Sequence, residues 1–335
     1  MKIPWDIKKE DFPQTSVLAD QIKFVLGYAI LAPSTHNSQP WRFKIQDNFC
    51  RIYYNPELKL PEADPSGRDL YISMGCMIEN LIIAANYFGI FWDFRPALKD
   101  NLIGEIFFKE IGEKNIDLKY LLETIPKRIN ARGMFENKKL PAEIEAELMS
   151  LKKDGRIKTD FITDKEKISK IAGLTAKGLR IAYKKPSFRK EMASWMRNSL
   201  SGSKTGLPGY SLRIPLPLSF LIPTLVKFLD LSPVLAKLNY KSMSSAPFIC
   251  LFSSEESNPE IWFETGRLAE RFMLQLGSKN IRTSIFVASI EMGDLYKKVQ
   301  EVVGINLIPQ FLFCAGYMKD VQGHSPRQNS DDKII

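Results

Sequence analysis

The stretch DLYISMGCMIENLIIAANYFGI, residues 69–90, constrains the fold more than any other. Leu70, Met74, Met77, Ile78, Leu81, Ile82 and Ala85 recur at helical spacing, and Gly89 is placed to end the helix. Apolar residues occupy most of the remaining circumference, so the helix is expected between two layers rather than on a surface. Strand patterns flank it. WRFKIQDNFCRIYYN alternates about Asp47-Asn48 as a short hairpin, and FWDFRPAL and LIGEIFFK follow the helix. The same order returns downstream: APFICLFSS as a strand, PEIWFETGRLAERFMLQLGSKNI as a long helix with a Gly near its end, then RTSIFVA as a strand. MGDLYKKVQEVVG and IPQFLFCAGYM add a helix and a last strand. This repeat, without obvious sequence identity, predicts an α+β chain of two related halves, 1–125 and 126–330. The second half carries a basic and apolar insert, 186–245.

Between these elements the pattern predicts a helix over SVLADQIKFVLGYAIL, capped by Thr15 or Ser16. A second covers PAEIEAELMSLKK with Pro141 at its start, RIKTDFIT is a strand, and a further helix runs from Asp164. At 335 residues, 44% apolar and 25% charged, the chain can build two cores. Cys50, Cys76, Cys250 and Cys314 lie far apart with no CxxC pair, and the two histidines do not complete a structural zinc site. Scattered free thiols and an N-terminus without an apolar core point to the reducing cytosol. RIPLPLSFLIPTLVKFLDLSPVLAKL, residues 213–238, is broken by four prolines, Lys227 and Asp230, and is expected as a helical, lid-like segment rather than a bilayer span. From Lys177 to Arg213 nine basic residues face one acid, Glu191. A solvated face is the first reading of that run. Attraction of a phosphorylated small molecule, or contact with an anionic membrane through 186–240, are lesser ones, and no nucleic-acid motif accompanies the charge.

One polar loop, APSTHNSQPWRF at 32–43, stands out between an apolar helix and a Trp. With DPSGRDLYISMGCMIENLIIAANYFGI (64–90), RINARGMF (128–135), SIEMGD (289–294) and GYMKDVQGHSPR (316–327), it resembles the FMN-dependent nitroreductase family, in its fused, double-length Acg-like subgroup. Asn130 stands where that family usually has Thr or Ser, and Cys314 where the subgroup often has Arg. The resemblance implies a nitroreductase-like fold with the halves paired as an internal pseudo-dimer, and a single FMN site in a monomer.

It also implies residue roles. Ser34, His36, Asn37 and Gln39, with Pro33 shaping the loop, would line the ribityl, phosphate and one ring edge. Arg128, Asn130 and Arg132, helped by Arg327, would hold the phosphate, for which planar guanidiniums are well suited. The backbone of Ile290 and Glu291 would meet the reactive edge of the ring. No catalytic side chain and no metal are called for. The implied activity is transfer of two electrons from NADH or NADPH to a nitro compound, a quinone or a similar electron-poor small molecule. The alternative is a flavin store whose lid blocks turnover.

Overall fold

The computed structural model describes residues 3–151 and 154–335. The first helix, α1 (Leu18–Ala29), leads through the polar loop into the hairpin of β1 (Trp41–Gln46) and β2 (Phe49–Tyr54). The long helix α2 (Arg68–Tyr87) follows, then β3 (Phe91–Lys99) and β4 (Leu102–Phe108). These strands form one antiparallel sheet in the order β1-β2-β4-β3. Short helices α3 (Lys119–Thr124) and α4 (Ile144–Ser150) lead to β5 (Lys158–Ile162).

A long helical excursion then separates β5 from its sheet neighbour. It comprises α5 (Lys165–Lys184), α6 (Pro186–Trp195), the two-residue strands β6 (Met196–Arg197) and β7 (Leu207–Pro208), α7 (Leu216–Ser219), α8 (Ile222–Phe228) and α9 (Ser232–Ser245). The chain closes with β8 (Phe248–Ser254), α10 (Pro259–Ser278), β9 (Arg282–Ile285), α11 (Ala288–Glu291), α12 (Leu295–Val303) and β10 (Ile308–Gly316). The second sheet runs β5-β8-β10-β9, again antiparallel. Both sheets place their first, second, fourth and third strands in that order. The excursion occupies the position of the Asp47-Asn48 turn in the first sheet.

The two long helices cross at their centres. Gly75 is the eighth residue of α2 and Gly266 the eighth of α10. A Cβ on Gly75 would lie 2.0 Å from Phe263 O, and one on Gly266 2.1 Å from Ile72 O. Backbone therefore meets backbone, a distance that any side chain would prevent. Around the crossing, Glu79 pairs with Arg267 and Arg271 from the other helix. This explains the nearly all-round burial of α2, from Leu70 through Ala85, between its own sheet and α10.

Several boundaries differ from the sequence expectation. Val17, not Thr15 or Ser16, holds the cap position of α1. Gln21 reaches back to the carbonyls of Pro13, Gln14 and Ser16, so the first turn is tied from inside the helix. The helix expected from Pro141 begins at Ile144. The strand over 282–288 ends at Ile285, because the chain turns into α11. The insert is mostly helical, and its Phe188, Met196 and Val226 form a small core with Ala182 and Tyr183 of α5 and with Leu60 and Ala63 of the first half.

Candidate functional site

The polar loop, the start of α2, the segment 128–132, the β9–α11 junction, the tail 322–327 and the insert enclose one cavity of about 320 Å³. That is the size of a small-molecule site.

The loop bends against the preference of its residues. His36, Asn37 and Gln39 have φ of 53°, 56° and 53°, a left-handed conformation that costs a non-glycine residue about 1–3 kcal/mol. The surroundings hold it there. Ser34 Oγ accepts the Gln39 N–H at 2.9 Å. Asn37 Nδ2 donates to Gly206 O at 3.0 Å and to Pro326 O at 2.9 Å. Gln39 Nε2 donates to Lys204 O at 2.7 Å, its Oε1 accepts from Gln328 N at 2.9 Å, and Lys333 Nζ donates to Gln39 O at 2.6 Å. Pro33, Ser34, His36 and Asn37 lie on the cavity wall. Gln39, expected there too, is fully buried away from it, because the insert and the tail use both ends of its amide. His36 Nε2 is buried without a hydrogen-bond partner. Burial, then the charge of Arg132, push its pKa down to about 4, so the ring is neutral.

The three residues of the basic segment have different duties. Arg128 is buried beside Glu270, Nε to Oε1 3.1 Å, and its Nη2 donates to Leu31 O at 3.0 Å. Its Nη1 has no partner. Asn130 Oδ1 accepts from Ile285 N at 3.0 Å, which ties the segment to β9. Gln322 then clamps it from the tail, accepting from Arg132 N at 3.1 Å and donating to Asn130 O at 2.7 Å. Arg132 presents its guanidinium to the cavity, and no hydrogen bond or ion pair engages that side chain among the described residues. Burial lowers its pKa, with Tyr183 opposing the shift, yet arginine stays charged at neutral pH.

Arg327, expected as a phosphate helper, works mainly as a latch. Its Nη1 donates to Asn37 Oδ1 and its Nη2 to Ala32 O at 3.0 Å, while its guanidinium carbon lies 4.8 Å from the centre of the Trp5 ring. Burial, then the neighbouring Arg128, bring its pKa down to about 9.

At the opposite wall the backbone N–H groups of Ile290 and Glu291 both turn back to Val287 O, at 2.9 and 3.2 Å. They close the single turn of α11 and are not free for a ligand edge, and Ile290 is buried off the cavity. The wall is formed by 285–288, where Ala288 heads the turn and has no acceptor inside it. Glu291 contributes its carboxyl instead. It faces Asp69 and lies 3.4 Å from Arg68 Nη2. Burial, then the charge of Asp69, raise the Glu291 pKa well above its ordinary value, opposed by the charge of Arg68. Asp64 behind it accepts from Leu70 N at 2.8 Å as α2 begins. Burial, then Asp69, push Asp64 up to about 6.

Sequence reasoning missed Asp69, Gln322 and the insert residues on the wall. Asp69 reads as an ordinary acid in a helix's first turn. Gln322 lies in a tail with no periodicity. The described residues contain no cluster of side chains suited to a metal, and no helix among them is long and apolar enough to cross a membrane.

No family model matches the chain. Two Mycobacterium tuberculosis proteins named as NAD(P)H nitroreductases do. Rv3131 is 35% identical over 66 residues, 20% of this chain and 19% of that protein. Acg is 35% identical over 72 residues, 22% of each. The matches thus span about a fifth of the length of these relatives. Among solved structures, the FMN-dependent nitroreductase NfnB of Mycobacterium smegmatis in complex with NADPH superposes with a TM-score of 0.41 at 13% identity, covering 65% of this chain and 97% of that one. A superposition that loose adds nothing to the sequence match. Over that shared stretch the chain is similar to Rv3131 and Acg, both named as NAD(P)H nitroreductases.

Proposed function

We propose that the chain is an FMN-dependent oxidoreductase that passes two electrons from NADH or NADPH to an electron-poor small molecule, such as a nitro compound or a quinone. The observation that carries this reading is the guanidinium of Arg132, without a hydrogen-bond or ion-pair partner among the described residues, on the wall of the cavity. Arg128 Nη1 and His36 Nε2, both buried without partners, strengthen it. Buried polar atoms left unsatisfied by the protein call for a ligand. A phosphate beside Arg132 and Arg128, hydroxyls along Ser34 and His36, and a flat ring against Ile72, Phe188, Met192 and Leu207 would satisfy this wall. The residues present therefore fit FMN. When bound, it would supply the hydride-accepting and hydride-donating chemistry.

The chain's own part is to bind, to enclose and to hold a proton. Arg132 and Arg128 meet the phosphate with charge-assisted hydrogen bonds. The insert shields the cavity from water. Reduction of a quinone to a quinol consumes the hydride and one further proton, and Glu291, whose carboxyl burial disposes to hold a proton, is the cavity-lining group that could supply it.

A flavin store is the second reading. It is favoured by the insert's grip on the loop, through Gly206 and Lys204 to Asn37 and Gln39, and by Arg213 Nη1 donating to Arg132 O at 2.8 Å. An absorption spectrum of the purified protein, followed by rapid mixing with NADPH or NADH, separates the cases. A yellow protein that bleaches and recovers with a quinone supports the reductase. One that stays yellow supports the store, and a colourless protein that takes up no FMN rules out both.

A further inference from the structure

We infer that the outer face of the insert docks on an anionic lipid surface. The inference is independent of the chemistry at the cavity. Phe220 and Leu221 before α8, Phe228 at its end, Leu229 after it, and Val234 and Leu238 on α9 are each more than half exposed. They are not the residues that stabilise the insert: its core uses the opposite sides of the same helices, with Val226 of α8 buried and Ile222 and Leu235 packed against it. Large apolar groups concentrated on one face, over a core already complete without them, mark a surface that is covered in use.

The charge around this face identifies the cover. From Lys177 to Lys241 the chain carries twelve basic residues and two acids, Glu191 and Asp230. Lys177, Arg180, Lys184, Lys185, Lys227 and Lys237 are exposed, and none forms an ion pair among the described residues. The helices that carry them pack together, α5 along α9 and α6 along α8, and α8 and α9 also carry the exposed apolar residues. The charges of Lys184 and Arg189 are felt at Asp230, between α8 and α9. Asp230 itself accepts from Ser232 N at 2.9 Å. Glu191 points away, accepting from the Glu62 and Ala63 N–H groups at 3.0 and 2.9 Å.

Apolar side chains ringed by unpaired cations complement the boundary between acyl chains and anionic headgroups, with lysine stems lying along the apolar surface. A second copy meeting this face about a twofold axis would set cations against cations, which disfavours self-association. No helix among the described residues can cross a bilayer, so the contact is peripheral.

Co-sedimentation of the full chain with vesicles tests this, using phosphatidylcholine alone and phosphatidylcholine with about a third phosphatidylglycerol. The expected result is at least about tenfold stronger partitioning onto the anionic vesicles, reversed by high salt. Two triple variants, Phe228→Ser/Leu229→Ser/Leu238→Ser and Lys184→Glu/Lys227→Glu/Lys237→Glu, should each lose about tenfold or more while keeping the wild-type circular dichroism. Should either variant misfold, the other, with the salt dependence of the wild type, decides. Absence of binding to anionic vesicles at low salt overturns the proposal, as does binding equal on both vesicle types. A dimer in solution that the apolar triple variant dissociates also overturns it, by assigning the face to a second copy.

Discussion

Among single residues, Arg132 differs from its neighbours in being a cation on the cavity wall whose side chain has no hydrogen-bond or ion-pair partner among the described residues. Arg128 has Glu270 and Arg327 has backbone carbonyls. Removing Arg132 should therefore cost ligand affinity without costing fold. For Arg132→Ala the loss of a charge-assisted contact worth about 1.5–3 kcal/mol predicts FMN binding weakened about ten- to a hundredfold. The flavin-free protein should melt no lower than wild type, and flavin fluorescence titration beside a thermal scan checks both. Unchanged affinity would move the phosphate elsewhere. Asp64 makes a prediction about stability. Its folded pKa of about 6 lies above the ordinary carboxylate value of 3.8. Between those values the folded state keeps a proton that the unfolded state has released, so stability falls as pH rises, and the full cost, up to ~3 kcal/mol, stands above about pH 6. Asp64→Asn keeps an acceptor for the Leu70 N–H. It should flatten the profile from about pH 4 to 6 and be the more stable chain at neutral pH, as denaturant midpoints at several pH values would show. Residue types in the loop were legible in the sequence, but their division of labour was not. Nothing in APSTHNSQPWRF says that Gln39 turns inward to the insert while His36 stays on the wall. That depends on three left-handed residues and on partners more than 160 positions away.

At the scale of elements, the helices and strands were readable wherever one face is buried and the other wet. The hairpin about Asp47-Asn48 and the long helices follow that rule. The insert was harder to read because α8 and α9 leave large apolar residues in solvent, which erases the contrast that periodicity depends on. The helix crossing was invisible for another reason: in sequence Gly75 and Gly266 look like defects in good helices, and only backbone contact shows that they are required. Gly75→Ala or Gly266→Ala should each cost about 1–3 kcal/mol or more, since the new methyl meets a carbonyl oxygen rather than a side chain that can move. Gly173 in α5 is the control. It has nothing within 4 Å of a would-be Cβ, so Gly173→Ala should instead stabilise by about 0.5–1 kcal/mol. Thermal melts of the three variants would show opposite signs. If all three stabilise alike, helix propensity rather than the crossing governs these positions.

For the molecule as a whole, the repeated strand order gives the two halves a common plan that their sequences conceal. Topology survives where identity does not because a layer needs apolar faces of the right period, not particular side chains. The plan also shows where the halves diverge. The α1–β1 connection carries the Pro-Ser loop, whereas its counterpart entering β5, Leu151–Ile157, reads LKKDGRI and has none of those residues. In place of the Asp47-Asn48 turn the second half sends out the insert, whose Gly206 and Lys204 hold the first half's loop. The cavity is thus built from both halves, with each supplying what the other lacks, and a second equivalent site has no loop to form it. A chain of 38.3 kDa should then bind one flavin and need no partner copy to do so. Native mass spectrometry after reconstitution with FMN gives both quantities together. A single-chain mass carrying one FMN agrees with a fused pair of halves. Two FMN per chain would reveal a second site in the second half, and FMN retained only in a dimer would show that one chain's loop completes its partner's cavity.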